Sequence, residues 1–207
     1  MAGAGASVSS ALYRVGAPGN PMILKLFRPT PPDDTIARLY GTIVAQARTP
    51  AFYQLYGVPD TVSGRLEMMM LHMVLILQHL ERGAASLRAL GQGLFDAFCQ
   101  DLDDSVREMG VGDLGVPRTM RLIGEAFYGR QAVYLAALDA PDDQRLAGAL
   151  QRNVFAGSPQ PGLAVWLALY VRETERRIAA QDQLERVRLA FPDPEQVLLQ
   201  ARRAWMN

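Results

Sequence analysis

Apolar residues recur every three or four positions through most of this chain. No stretch alternates apolar and polar residues over the length of a strand, and no segment repeats. Spacing of that kind lines up side chains on one face of a helix. Ile36, Leu39, Tyr40, Ile43, Val44 and Ala47 form a first stripe, with Asp33 or Asp34 as its cap. Pro50 ends or kinks that helix, and Thr49-Pro50 starts a short second one carrying Phe52, Tyr53 and Tyr56. Gly57 and Pro59 close it. Asp60 or Thr61 caps a third helix that runs to about Arg82, with Gly83 beyond its end. From Met68 to Leu77 this helix is apolar almost all round, the mark of a central buried helix.

Leu87, Leu90, Leu94, Phe98, Leu102, Val106 and Met109 make the next stripe. Gly110, Gly112 and Gly115 then bend the chain, and Gly110 sits where a helix stops on a residue of positive φ. Pro117 opens the following helix, with Met120, Ile123, Phe127, Tyr134 and Leu138 on one side. Pro141 and Asp142 open another, with Leu146, Leu150 and Val154 inward. A Gly/Pro loop from Gly157 to Gly162 precedes a helix carrying Leu163, Trp166, Leu167, Tyr170 and Ile178. Asp193, Pro194 and Gln196 cap the last helix, whose inward face is Val197, Ala201 and Trp205. The pattern predicts an all-α fold, a single multi-helix bundle of about seven to eight helices with a flexible N-terminal tail. It divides into a leader over 1–32, a helical domain over 33–157 and a C-terminal helical extension over 158–207 packed on that domain.

Composition narrows the classes. Lys plus Arg balance Asp plus Glu at 21 each, which argues against a dedicated nucleic-acid binder. Lys25 is the one lysine among those basic residues, so the arginines read as the coding bias of a GC-rich bacterium before any phosphate-binding surface. Cys99 stands alone and excludes an internal disulfide and a cysteine zinc site. The longest apolar run is far short of the roughly 20 residues a membrane span needs. No secretory signal is evident at the start, so the expected location is the cytoplasm. Met22-Ile-Leu-Lys-Leu-Phe-Arg offers a short segment for peripheral contact, including at the inner face of the cytoplasmic membrane.

Candidate chemistry is sparse. Gly110-Val-Gly-Asp-Leu-Gly115 matches a dinucleotide-binding string but follows a helical pattern instead of a strand, so it reads as a helix–helix turn. Asp96, Asp101, Asp103 and Asp104 crowd one helix. They read as a polar face with an Asp103–Arg107 pair, as an acidic protein-binding face, or as part of a metal site in an all-α metal-dependent enzyme. The metal site would need facing carboxylates from other helices. His72 and His79 lie two turns apart, about 10 Å, too far to share one ion. They are expected in the core or at its rim. Met68, Met69, Met70 and Met73 read as core filler or as an adaptable apolar binding face. Tyr128-Gly129-Arg130 reads as a second break in a helical pattern. No cofactor or metal ligand set is assigned.

Several strings together resemble the ubiquinol–cytochrome c chaperone family: Tyr40-Gly41-Thr42-Ile43-Val44-Ala45-Gln46-Ala47-Arg48, Phe52-Tyr53, Gly57-Val58-Pro59-Asp60-Thr61-Val62 and Gly64-Arg65. The resemblance continues through Leu94-Phe95-Asp96-Ala97-Phe98, Asp101-Leu102-Asp103, Arg107 to Leu114, and Phe127 to Arg130, covering about Asp33 to Phe155. It implies an assembly chaperone, not an enzyme, that binds newly made cytochrome b and supports maturation of the cytochrome bc complex. It also implies a small partner protein or the ribosome as a further contact. The segments before Pro32 and after Gly162 fall outside it. On this reading a groove beside the glycine elbow receives an apolar client segment. Met68, Met69, Met73, Phe127 and Tyr128 are expected to line it, with Asp103, Arg107, Glu108, Asp113 and Arg130 as its polar rim.

Overall fold

The computed structural model describes residues 33–156, 161–181 and 189–206. The leader with its Met22–Arg28 string, most of the Gly157–Gly162 loop and residues 182–188 and 207 lie outside the described residues. Among the described residues there are eight α-helices and no strand. They are α1 (Asp33–Ala47), α2 (Pro50–Gln54), α3 (Val62–Glu81), α4 (Ala85–Glu108), α5 (Val116–Leu138), α6 (Gln144–Asn153), α7 (Pro161–Ala179) and α8 (Pro194–Met206).

Helix α3 is the axis. Every residue from Met68 to Leu77 is buried, so the helix needs neighbours on all sides. α1, α4, α5 and α7 supply them. Each fully buried Leu, Ile, Met or Phe contributes about 1.5–3 kcal/mol, so this one run carries a large share of the hydrophobic term. One core cluster extends from Leu39 in α1 to Leu198 in α8.

Local chemistry sets the helix ends. The Thr61 hydroxyl accepts a hydrogen bond from the Gly64 N–H at 3.1 Å, the expected N-cap of α3. Gly64 lies so close to Pro59 that a Cβ would stand 2.0 Å from the Pro59 carbonyl oxygen. Gly110, just beyond α4, has φ +83° and terminates that helix as its position predicts. α5 runs unbroken through Gly129, which corrects the second break read from Tyr128-Gly129-Arg130. One interior glycine costs a helix about 1 kcal/mol, and burial of Phe127 and Tyr134 on either side outweighs it. Arg172 of α7 caps the far end of α5. Its guanidinium donates to the carbonyls of Leu138 (2.6 Å) and Ala140 (3.0 Å) and to Asp143 Oδ1 (2.9 Å). A cation on the last carbonyls of a helix also opposes its dipole. Trp205 faces solvent at the end of α8, and Leu198 joins Val197 as the buried face, because α8 extends past the body it packs on.

A buried polar chain joins four segments. His72 Nδ1–H donates to the Met68 carbonyl at 2.8 Å, since a carbonyl can only accept. His72 Nε2 is left to accept from the Tyr170 hydroxyl at 2.9 Å. Tyr170 in turn accepts from Gln46 Nε2 (2.9 Å), which also donates to the Pro192 carbonyl (3.1 Å). Phe52 and Phe191 pack edge-on against the imidazole. Burial pushes the His72 pKa down to about 4.

That displacement has a sign. The unfolded chain takes up the proton near pH 6.5 and the folded chain refuses it until about 4. The stability His72 contributes is therefore present above pH 6.5 and is lost as pH falls through that window, on the order of 3 kcal/mol in all. Urea unfolding at stepped pH should show the decline, and His72→Gln should flatten the slope. His79, half-buried and displaced the same way, leaves a residual slope. Glycine replacement gives a second check. Gly64→Ala should cost about 3 kcal/mol or more, because backbone must move, and Gly110→Ala about 1 kcal/mol from φ alone, both read from unfolding midpoints.

Candidate functional site

Shared contacts gather the elbow end of α4, α2, the start of α3 and the start of α7 at one end of the bundle. Leu163 of α7 closes on Gly57 there. At this end α3, α4 and α5 diverge around a cavity of about 210 Å3. Leu66, Met69, Phe98, Leu102, Val106 and Ile123 form its apolar floor, and Val62 and Met109 form exposed apolar edges. Its polar rim is Arg48, Arg65, Asp101 and Ser105. Arg48 and Arg65 also border a second cavity of about 270 Å3, completed by Pro50, Tyr53, Gln54 and Asp60. The two adjoin as one trough. Asp60 Oδ1 accepts from Arg65 Nε at 2.7 Å, and the same guanidinium lies 5.9 Å from the Tyr53 ring centroid. Asp101 accepts from the Tyr40 hydroxyl at 2.7 Å. Arg48 makes no ion pair among the described residues and is a free cation at the junction.

The residues expected to form the groove do not stay together. Met69 lies on the cavity floor. Met68, Met73 and Phe127 are interior, fully covered by neighbouring helices, so none of them lines a surface groove. Tyr128 is half-buried against Phe95 and Phe127, with ring centroids at 6.1 and 5.8 Å. Arg107 bridges Asp103 (2.6 Å) and Asp113 (2.8 Å), latching the elbow to the end of α4, while Glu108 is exposed beside it. These exposed pairs are screened by solvent and contribute little to stability. Arg130 turns inward instead of joining the rim. Its Nε donates to Glu67 Oε2 at 2.6 Å and its Nη2 to Glu67 Oε1, a bidentate fork between α5 and α3. Glu67, inside the apolar stretch, needs this partner because an unpaired buried carboxylate is costly.

The aspartates of α4 are each engaged in their own neighbourhood. Asp96 accepts from Gln92 and Asp104 from Gln100, both one turn away. Among the described residues no three His, Cys, Asp or Glu side chains are grouped so as to hold an ion. The four carboxylates are thus engaged by Gln92, Gln100, Arg107 and Tyr40, and the enzyme reading is not favoured. Burial pushes the Cys99 thiol up to about 11, leaving it protonated and unreactive at neutral pH.

Sequence reasoning missed Arg48, Arg65, Val62, Leu66 and Ile123 as neighbours. Arg48 and Arg65 are 17 positions apart, and the only signal was that each flanks a helix end.

Fold and groove together define the class: an all-helical bundle with an apolar, charge-rimmed concavity at one end. Residues 54–188 match the family described as ubiquinol-cytochrome C chaperone. The crystal structure of the Cbp3 homolog from Brucella abortus is 40% identical, with a TM-score of 0.75, covering 84% of this chain and 99% of that one. Among curated proteins no significant match to the sequence is found. The chain belongs to the ubiquinol–cytochrome c chaperone family, and so to the assembly chaperones of the cytochrome bc complex (complex III).

The internal role of Arg130 is testable. Arg130→Met strands the Glu67 carboxylate and should cost about 3 kcal/mol in denaturant unfolding. Adding Glu67→Leu should recover most of that loss, because replacing a buried pair by apolar groups is close to neutral.

Proposed function

We propose that the protein holds newly made cytochrome b, with an apolar client segment seated in the trough beside the elbow, until haem and partner subunits are added. The observation that carries this reading is the exposed apolar lining of that cavity. Val62 and Met109 are 69% and 59% exposed there and have no evident folding role. An apolar floor inside a charged rim suits reversible capture, since the floor supplies affinity and the rim supplies register. Asp103, Arg107, Glu108 and Asp113 border the same end and act as the outer rim in this scheme. The protein performs no chemistry on its client. It works at the inner face of the cytoplasmic membrane in peripheral contact with it, and the 158–207 extension buttresses the 33–157 client-binding unit. No helix among the described residues is long and apolar enough to cross a membrane.

Deleting the gene should remove the cytochrome b absorbance while leaving the other cytochromes in place. Re-expression of the Val62→Glu/Met109→Glu double variant should fail to restore it. Both positions are exposed, so unfolding should shift by no more than about 0.5 kcal/mol. Cytochrome b recovered with the tagged double variant should drop about tenfold or more. Full rescue by this variant, at normal levels, would remove the trough from the mechanism.

A further inference from the structure

A second exposed apolar cluster lies at the end of α8. Leu199, Trp205 and Met206 are 55%, 73% and 79% exposed. Arg202 and Arg203 sit among them, also exposed. Gln196 to Met206 contains these two arginines and no acidic residue. Trp205 is held in place, with its ring 5.4 Å from that of Trp166 in α7. Trp166 is one turn from Leu163, which packs on Gly57, so this cluster shares the trough's end of the bundle. The elbow is another exposed apolar place at that end, with Leu114 and Met109. Its charges have the opposite sign: Asp103 to Asp113 holds four acidic residues and one arginine.

We propose that the C-terminal half of α8 docks on an anionic lipid surface. The indole of Trp205 fits the headgroup region, being apolar with one N–H to satisfy. Met206 and Leu199 enter the acyl boundary beside it, and Arg202 and Arg203 meet lipid phosphates in a geometry that favours guanidinium. Charge selects this occupant over a neutral protein surface and selects α8 over the acidic elbow for the contact. The inference deepens the peripheral membrane contact proposed above by naming its face, and it requires nothing of the client reading.

The chain's two tryptophans make the test direct. In full-length Trp166→Phe protein, Trp205 is the one indole. Its emission should shift to the blue on mixed phosphatidylglycerol–phosphatidylcholine vesicles and stay put on phosphatidylcholine alone. Co-sedimentation with the mixed vesicles should weaken about thirtyfold in Arg202→Ser/Arg203→Ser, with the melting temperature unchanged. Trp205→Ser should weaken it as well. Unshifted Trp205 emission overturns the proposal, even if the protein sediments through its leader. Equal binding to neutral vesicles overturns it, and so does a blue shift that rises with protein concentration in the absence of lipid, which would mark a contact between copies. No client is present in any arm, so the result is independent of cytochrome b capture.

Discussion

Helix α3 can exist only if it is surrounded. Its ten residues from Met68 to Leu77 are buried in every direction, so no face of it can be left to water. The remaining helices are arranged by that requirement, with α1, α4, α5 and α7 laid along its sides. A uniformly greasy helix, however, specifies neither its own rotation nor its axial position, because one apolar contact resembles another. The polar groups embedded in it remove the ambiguity. Glu67 must meet Arg130, and His72 must meet Tyr170, or each leaves a desolvated group unpaired. Apolar burial supplies most of the stability, and these two pairings fix the register.

The same arrangement explains why one end of the bundle is open. The cavity lies between α3, α4 and α5, near where α4 hands over to α5 through the elbow. The Arg107 bridge between Asp103 and Asp113 ties the elbow to the end of α4. Short, exposed segments at that end contribute the rim, while the opposite end of α5 is closed by Arg172 on its last carbonyls. Stability and exposure are thus separated along the bundle.

The α7–α8 region extends the same economy. Tyr170 closes the buried hydrogen-bond chain, Phe191 covers His72, and the Tyr56 hydroxyl donates to the Pro194 carbonyl at 2.8 Å. Tyr56 and Tyr170 lie inside the 54–188 stretch that matches the family, so the family reaches through α7 and past the Phe155 limit of the resembling strings. Phe191 and Pro194 lie beyond that stretch and still seal the core. Past Leu198 the helix meets α7 through the Trp205–Trp166 ring contact and leaves Leu199, Trp205 and Met206 largely exposed.

Element type, order and most helix ends were legible in the residues alone, because periodicity, caps and glycine stops are local. Thr61, Gly110 and the stripe through Phe98 act within a few positions of themselves, and no distant residue overrules them. The family was legible too, since its strings are carried in order along the chain. The trough was not. Glu67 and Arg130 are 63 positions apart, Gln46 and Tyr170 124, and nothing in spacing announces which distant polar groups will meet. Met68 and Met69 look alike as neighbours in sequence, and only the packing of α4 and α5 turns one into core and the other into cavity floor. A helix chooses its own boundaries by chemistry within one turn. Which of its faces is spent on folding, and which remains for a partner, is decided by where its neighbours stop.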